Sequence, residues 1–278
     1  MRMPLPLSPP LHNHRKSKRP NHANPSNADA PLGLLGLVFI AGSLVMLFLT
    51  ILAGVSWVPP LRDTYFLRAE TLGIRGARPV TQWTFFYVCG LDNIGCGYPQ
   101  AAMGIGSDAW APGGFGVPRE LVGEYAGGTT SHYYWYMWRF GWVFFIIGLF
   151  FEVIAFFVGF LACLGRLGAA MAGLVAGTAL FFNTLAVCLM TATFVKMRNA
   201  FLANRIPAQI GAHGFGLAWG AWFALLIAVG LFFAGVAAGG GRKKSDHVHS
   251  TSRGSRRNRS RGSNLEIGSR RRVKEEYN

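Results

Sequence analysis

Acidic residues are scarce in this sequence, and their scarcity limits the chemistry to be expected of it. Asp and Glu number 12 among 278 residues, and Glu152 is the one acid inside a long apolar run. The sequence has no Ser/His/Asp set, no paired carboxylates and no nucleotide-binding fingerprint. His247 and His249 are too isolated to predict a metal site. We therefore predict no enzyme activity, no cofactor and no metal, and a single acid in the apolar runs argues against a pore or transporter.

Charged residues make up only 14% of the chain and hydrophobic residues 51%. The hydrophobic residues gather in four runs, at about 32–55, 140–164, 169–195 and 215–238. Each run is long enough for the roughly 20 residues with which a helix crosses about 30 Å of hydrocarbon. The sequence predicts a mainly α, integral membrane protein with a four-helix transmembrane bundle at 32–238. Residues 1–31 and 239–278 lack hydrophobic periodicity and are predicted to be disordered.

Basic residues concentrate at the two ends of the chain, which has a formal net charge of +15. Residues 1–31 hold five basic residues against one acidic, and residues 239–278 hold twelve against four. An even number of spans places both termini on one side, and the positive-inside bias favours the cytosol. Tryptophans near the opposite ends of the spans agree with this orientation: Trp57, Trp135, Trp138, Trp142, Trp219 and Trp222. We expect a plasma-membrane protein with cytosolic termini and an outer loop at 56–139. A cleaved signal peptide fits the long first run poorly.

The stretch Thr81–Gly97 is the most informative part of the predicted outer loop. Aromatic residues and a cysteine occupy alternate positions: Trp83, Phe85, Tyr87 and Cys89. This alternation predicts a half-buried strand that runs into a Gly-rich turn. We expect it to join a small extracellular antiparallel β-sheet on the outer ends of the helices, with the glycine-rich residues beyond it irregular.

Two of the four cysteines, Cys89 and Cys96, lie in this stretch. Outside the cell they would meet an oxidising compartment, which favours a disulfide over two free buried thiols. Their spacing lacks the CxxC pattern of a redox or zinc site.

Glu152 lies deep in the second apolar run, where an ionised carboxylate is costly. Asn183 lies at a comparable depth in the third run, which returns antiparallel after a very short turn. We expect an interhelical hydrogen bond between them, with a lipid- or proton-linked role for Glu152 as the alternative.

Small residues also recur at four-residue spacing within the spans. Such ridges allow helix backbones to approach closely. We interpret four glycines as packing positions, primarily within one bundle and secondarily between copies: Gly173, Gly177, Gly216 and Gly220.

The C-terminal tail is rich in arginine and serine and directly follows the fourth apolar run. We predict that its basic residues bind acidic inner-leaflet lipids: Arg242, Lys243, Lys244, Arg253, Arg256, Arg257, Arg259 and Arg261. Each basic residue near an anionic leaflet contributes roughly 1 kcal/mol, and phosphorylation of neighbouring serines would weaken the attraction. A plain positive-inside anchor is the alternative, and nucleic-acid binding is not expected of a segment beside a membrane.

Short motifs occur in a fixed order between about residues 33 and 238: Thr64–Arg68, Trp83–Phe85, Cys89–Gly90, Cys96–Gly97, Tyr136–Phe140, Arg166–Gly168, Arg198–Phe201 and Gly214–Trp219. In this order they resemble the fungal Sur-seven/PalI family of claudin-like four-span membrane proteins. The resemblance implies an outer-loop signature that includes Trp83, Gly90 and Gly97. The chain lacks the Gly-Leu-Trp that precedes the first cysteine of claudins, so barrier or pore formation does not carry over.

The resemblance implies a fungal plasma-membrane protein of the furrow-like domains called eisosomes. Its implied role is a non-enzymatic organiser that supports membrane organisation, cell-wall integrity and endocytosis. The PalI branch implies an accessory role in ambient-pH sensing and signalling instead, and this is the alternative. The partners implied are eisosome or signalling proteins and membrane lipids, and self-association into a homo-oligomer is a further expectation.

Overall fold

The computed structural model describes residues 26–56, 58–162 and 166–238. The helices in these ranges are α1 (Ser26–Ile51), α2 (Tyr125–Gly128), α3 (His132–Ala162), α4 (Arg166–Ala203) and α5 (Ala212–Ala238). The strands are β1 (Leu67–Glu70), β2 (Val80–Trp83), β3 (Val88–Cys89) and β4 (Ala208–Ile210).

Four of these helices, α1, α3, α4 and α5, are long and apolar enough to cross a membrane. The predicted four-span, mainly α fold is therefore confirmed. The first helix begins at Ser26, inside the segment that was predicted to be a disordered arm. Ser26 followed by Asp29 is typical of a helix start, a signal that hydropathy alone does not register. The rest of that arm lies outside the described residues.

The second and third spans are longer than hydropathy predicts. The helix α3 begins at His132 instead of 140, and α4 continues to Ala203 instead of ending at 195. With 38 residues, α4 is about 57 Å long, against about 30 Å of hydrocarbon. The added turns bury Trp138 and Phe201 in one core cluster with residues of the sheet. Both helices thus extend past the membrane and support the sheet; we call this end of the bundle the sheet end.

The four spanning helices pack in neighbouring pairs. Contacts are most extensive between α3 and α4 and then between α1 and α5, while α4–α5 and α1–α3 contacts complete the bundle. Fully buried alanines on α4 allow the close approach: Ala172, Ala176 and Ala179. Residues 163–165, between α3 and α4, lie outside the described residues.

The antiparallel sheet has the strand order β3-β2-β1-β4, which confirms the predicted small sheet. Strand β1 pairs with β2 on one side, with Leu67 opposite Trp83, and with β4 on the other. Strand β4 comes from the segment between α4 and α5, for which the sequence predicts no strand. Gly211 follows β4, and a Cβ there would collide with the Tyr65 carbonyl oxygen. The chain therefore needs glycine where β4 leads into α5.

The predicted strand within Thr81–Gly97 is in fact a hairpin of β2 and β3. Thr84 interrupts it, because its backbone N–H donates to the Tyr87 carbonyl at 3.0 Å and its hydroxyl accepts from the Tyr87 N–H at 3.2 Å. Such local side-chain bonds compete with an extended strand. Trp83 and Phe85 are both buried, but Thr84 between them is buried as well and Tyr87 is only half-buried, so the predicted alternation ends at this turn.

Aromatic rings of the large loop (residues 52–131) and of the helices interlock at the sheet end. Phe66 stacks on Phe194 at 5.3 Å between ring centroids, Phe85 lies 5.2 Å from Phe145, and Trp138 meets Phe194 edge-on at 5.1 Å. Each such pair contributes about 0.5–1.5 kcal/mol beyond its buried area. The loop is therefore held to the bundle by a shared core.

Candidate functional site

A disulfide between Cys89 and Cys96, as predicted, closes the loop that follows β3 at the edge of the sheet. The enclosed residues form a short 3-10 turn at Leu91–Asn93. Two backbone bonds brace the closed loop, from Gly90 N to Ile94 O at 2.8 Å and from Gly97 N to Val88 O at 3.0 Å. We call residues 89–97 the clasp.

Asn93 attaches the clasp to the segment that leads into β1. Its side-chain Nδ2 donates to the carbonyls of Leu61 at 2.8 Å and Thr64 at 3.0 Å. Its backbone N–H donates to Oε1 of the buried Gln82 on β2 at 3.0 Å. Sequence reasoning missed both residues; the available signal was an Asn in a Gly-rich turn, a residue type that tolerates the positive φ of 53° found there.

The predicted signature residues of the loop each have a structural role. Trp83 is buried, and its indole N–H donates to the Ile105 carbonyl at 2.8 Å. A Cβ at Gly90 would lie 2.9 Å from the Ile94 carbonyl oxygen, and one at Gly97 would lie 2.7 Å from Asp108 Oδ2. Trp83 thus holds two loop segments together by a hydrogen bond, and the two glycines allow loop segments to approach closely.

The glycine-rich half of the loop has irregular backbone, as expected, but it is pinned by side chains. The Trp110 indole N–H donates to the Thr129 carbonyl at 2.9 Å. The Thr130 hydroxyl accepts from the Gly106 N–H at 3.0 Å. Trp83 and Trp110 also meet edge-on, with 6.2 Å between ring centroids. The two halves of the loop therefore form one packed structure.

Glu152 of α3 and Asn183 of α4 meet inside the bundle, and both are fully buried. Asn183 Nδ2 donates to Glu152 Oε2 at 3.2 Å, the hydrogen bond expected from the sequence. One turn before Glu152, Gly148 lets α4 approach, since a Cβ there would lie 3.2 Å from the Asn183 backbone nitrogen.

Ser43 of α1 completes this cluster and was not predicted. It is fully buried, lies beside the Glu152 carboxyl, and donates its hydroxyl to the Ala221 carbonyl of α5 at 2.8 Å. All four spanning helices therefore meet at one polar point. The signal available in the sequence was a serine at mid-depth of the first apolar run.

Glu152 Oε1 and Asn183 Oδ1 have no hydrogen-bond partner within the described residues. An ionised carboxylate oxygen and an amide oxygen can both only accept a hydrogen bond. If the Glu152 carboxyl is protonated, its O–H becomes a donor. No salt bridge involves Glu152 in the part of the chain that the structure describes. Because an unpaired buried charge costs several kcal/mol, this geometry favours the neutral acid.

The four predicted packing glycines divide into two groups. A Cβ at Gly173 would lie 3.4 Å from Phe232 of α5, and a Cβ at Gly220 would lie 3.1 Å from the Met46 sulfur of α1. A Cβ at Gly177 or Gly216 would meet nothing within 4 Å in the described chain. The prediction that they pack within the bundle is therefore wrong for Gly177 and Gly216. Four-residue spacing identifies one face of a helix, but it does not show which helix, if any, packs against that face.

The basic tail residues predicted to bind lipid, with Arg242 and Arg261 as the first and last, lie outside the described residues. In the described ranges, no group of three or more His, Cys, Asp or Glu side chains is placed to hold a metal ion.

Comparison with known proteins identifies the family. The family model described as SUR7/PalI matches residues 32–231, which include the clasp, the sheet and the polar cluster. This chain belongs to the SUR7/PalI family. The match extends over all four spanning helices of this SUR7/PalI protein.

Curated fungal members of the family align over most of the chain. An uncharacterized plasma membrane protein of Saccharomyces cerevisiae is 30% identical over 69% of this chain and 64% of its own length. Protein SUR7 of Candida albicans is 31% identical over 74% of this chain and 75% of its own length. Protein SUR7 of Saccharomyces cerevisiae is 28% identical over 70% of this chain, and the aligned part spans 64% of that relative. The alignments thus cover less than two thirds of the length of each of the two Saccharomyces cerevisiae relatives.

Proposed function

We propose that this SUR7/PalI protein is a non-enzymatic organiser of an eisosome-type domain in the plasma membrane, supporting membrane organisation, cell-wall integrity and endocytosis. The observation that carries the proposal is the family match over residues 32–231. It is supported by a relative from Saccharomyces cerevisiae that is named as a plasma membrane protein. The bundle meets partner proteins or other copies laterally, and the tail holds acidic lipid.

The same proposal places the sheet end outside the cell and both termini in the cytosol. The Cys89–Cys96 disulfide supports this orientation, because disulfides persist in oxidising compartments and are rare in the cytosol. The twelve basic residues after residue 238 support it independently through the positive-inside bias.

Binding of the tail to acidic lipid is tested by imaging the tagged full chain in its fungal host. The variant replaces five arginines with glutamine: Arg253, Arg256, Arg257, Arg259 and Arg261. The matched control replaces the same five with lysine, which keeps the charge and removes the guanidinium. We expect stationary cortical patches for the unmodified protein and the lysine variant, and dispersal of the patches for the glutamine variant. Diffuse fluorescence of the unmodified protein would contradict the organiser proposal.

A second candidate function is accessory pH sensing of the PalI type, and the buried polar cluster is the observation that favours it. Glu152 is a titratable group at a point where all four spanning helices meet. A change in its protonation would alter contacts between helices. Loss of the alkaline growth response on deletion, together with a diffuse distribution of the protein, would favour this function over the first.

A further inference from the structure

An open cleft of about 770 Å³ lies in the large loop, away from the polar cluster of the bundle. Four loop segments line it, around Arg78, Tyr98, Asp108 and Thr129. Its volume falls in the range of about 300–1,000 Å³ that is typical of small-ligand sites. We call it the Tyr98 cleft.

Hydrogen bonds between different segments of the loop fix the walls of the cleft. Arg78 Nη1 donates to the Asp108 carbonyl at 2.7 Å, and Gln100 Nε2 donates to Asp108 Oδ2 at 3.0 Å. The Ala111 N–H donates to the Arg75 carbonyl at 2.9 Å. The cleft is therefore largely pre-formed, which reduces the ordering cost of binding.

Backbone strain occurs on two sides of the cleft. Asp108 has a φ of 57° and Ala126 a φ of 53°, in the left-handed region that non-glycine residues seldom adopt. Both residues line the cleft. Strained backbone of this kind persists only where its surroundings hold it, and it clusters at ligand sites.

The side chains around the opening combine an aromatic ring with planar polar groups. Tyr98 lines the cleft and is 85% exposed, so its ring is free to stack on a ligand. Within the described residues, Asp108 Oδ1 and the Ser107 hydroxyl make no hydrogen bond, so both oxygens are available to a ligand. The Arg78 guanidinium and the Gln100 carbonyl oxygen add a donor and an acceptor.

We propose that the Tyr98 cleft binds a neutral carbohydrate chain. A pyranose ring presents a C–H face, which stacks on an aromatic side chain, and vicinal hydroxyls, which pair with carboxylate, amide and guanidinium groups. Tyr98 supplies the stacking surface, while Asp108, Gln100 and Arg78 supply the polar partners. This function goes beyond the organising role and does not depend on it.

Two other ligand classes fit the lining less well. Asp108 is the one carboxylate that lines the cleft, whereas calcium takes six to eight oxygen ligands. Arg78 is the one cationic group of the lining, and the nearby Asp108 charge offsets its attraction for an anion.

Binding is tested with the purified full chain in nanodiscs of phosphatidylcholine, which avoid detergents that carry sugar headgroups. The probes are cellohexaose, laminarihexaose and maltohexaose, which differ in the linkage between glucose units, and binding is measured by saturation-transfer NMR and titration. We expect at least one of them to bind with a Kd of about 1 mM or tighter. No binding of any probe at about 10 mM would overturn the proposal.

Variants then locate the binding site. Tyr98→Ala should weaken binding about tenfold or more, and Asp108→Asn, which suits a positive φ, should weaken it several-fold. The control is Phe115→Ala, which removes a ring that is 76% exposed on the same loop outside the cleft. Equal affinity of the Tyr98→Ala variant and the unmodified protein would also overturn the proposal, even if a sugar binds.

Discussion

At Glu152, a single carboxyl group contacts side chains of two other spanning helices, through Asn183 and Ser43, and Ser43 extends the contact to the α5 backbone. The depth of Glu152 and Asn183 could be predicted from their positions in the apolar runs. The role of Ser43 could not, because serine is common in membrane helices and only the rotation of α1 in the bundle brings it to Glu152. Gln82 and Asn93 are similar, since their bond depends on the fold of the hairpin.

Substitutions at the polar pair test whether the neutral acid holds α3 to α4. Glu152→Gln keeps a neutral group that donates and accepts, so the free energy of unfolding should change by less than about 0.5 kcal/mol. Glu152→Ala and Asn183→Ala should each lower it by about 1–2 kcal/mol, with a coupling of about 1 kcal/mol in the double-mutant cycle. Unfolding in lipid nanodiscs provides the measurement.

The matched control for the polar pair is Thr178→Ala on α4, because the Thr178 hydroxyl bonds only to the Leu174 carbonyl of its own helix. We expect this change to be close to neutral. A Glu152→Gln variant as unstable as Glu152→Ala would mean that the bundle requires the ionised form.

At the scale of elements, the Cys89–Cys96 disulfide closes the clasp covalently. Replacing Cys89 and Cys96 with serine should lower the stability of the loop by about 2 kcal/mol on the chain-entropy estimate. It should also speed limited proteolysis between residues 90 and 95. Cys188→Ser, at an exposed free cysteine of α4, is the control and should change neither quantity. Unaltered proteolysis of the double variant would show that Asn93 and the backbone bonds suffice to hold the clasp.

The junction of β4 and α5 offers a second test with a matched pair of glycines. Gly211→Ala should destabilise the protein by about 2 kcal/mol or more, because the new Cβ collides with the Tyr65 carbonyl oxygen. Gly216→Ala lies a few residues further on, meets open space, and should be neutral or slightly stabilising in a helix. Thermal unfolding of the two variants in the same nanodiscs compares them. Equal stability would contradict the packing of β4 against the segment before β1.

The elements show where sequence patterns stop being informative. Hydropathy predicts the spans because lipid demands apolar residues. It does not detect His132 or Ala203 as helix ends, because the extra turns bury only one face, against the loop and the sheet, and their other residues are polar or exposed. Strand β4 has only three residues, too few for an alternation to register. The Thr84 turn depends on a hydroxyl whose partner is three residues away, and aromatic alternation continues through it.

For the whole molecule, the sequence alone predicted the SUR7/PalI family and a four-span bundle with one small sheet, and both predictions are confirmed. Composition predicted the membrane spans, whereas the order of the short motifs predicted the family. The Tyr98 cleft could not be foreseen, because it forms from loop segments brought together by the clasp, Trp110 and Arg78. Its residues carry no spacing that a linear pattern would reveal.

The proposed orientation requires an oxidised clasp that faces the outside of the cell. The most direct measurement applies a membrane-impermeant thiol reagent to intact cells that express a variant with Cys163 and Cys188 replaced by serine. We predict that the half-buried Cys96 is labelled only after treatment with an impermeant reductant, and that the fully buried Cys89 is labelled only once the reduced protein is also denatured. Labelling without reductant would remove the disulfide, and labelling that requires permeabilised cells would reverse the orientation.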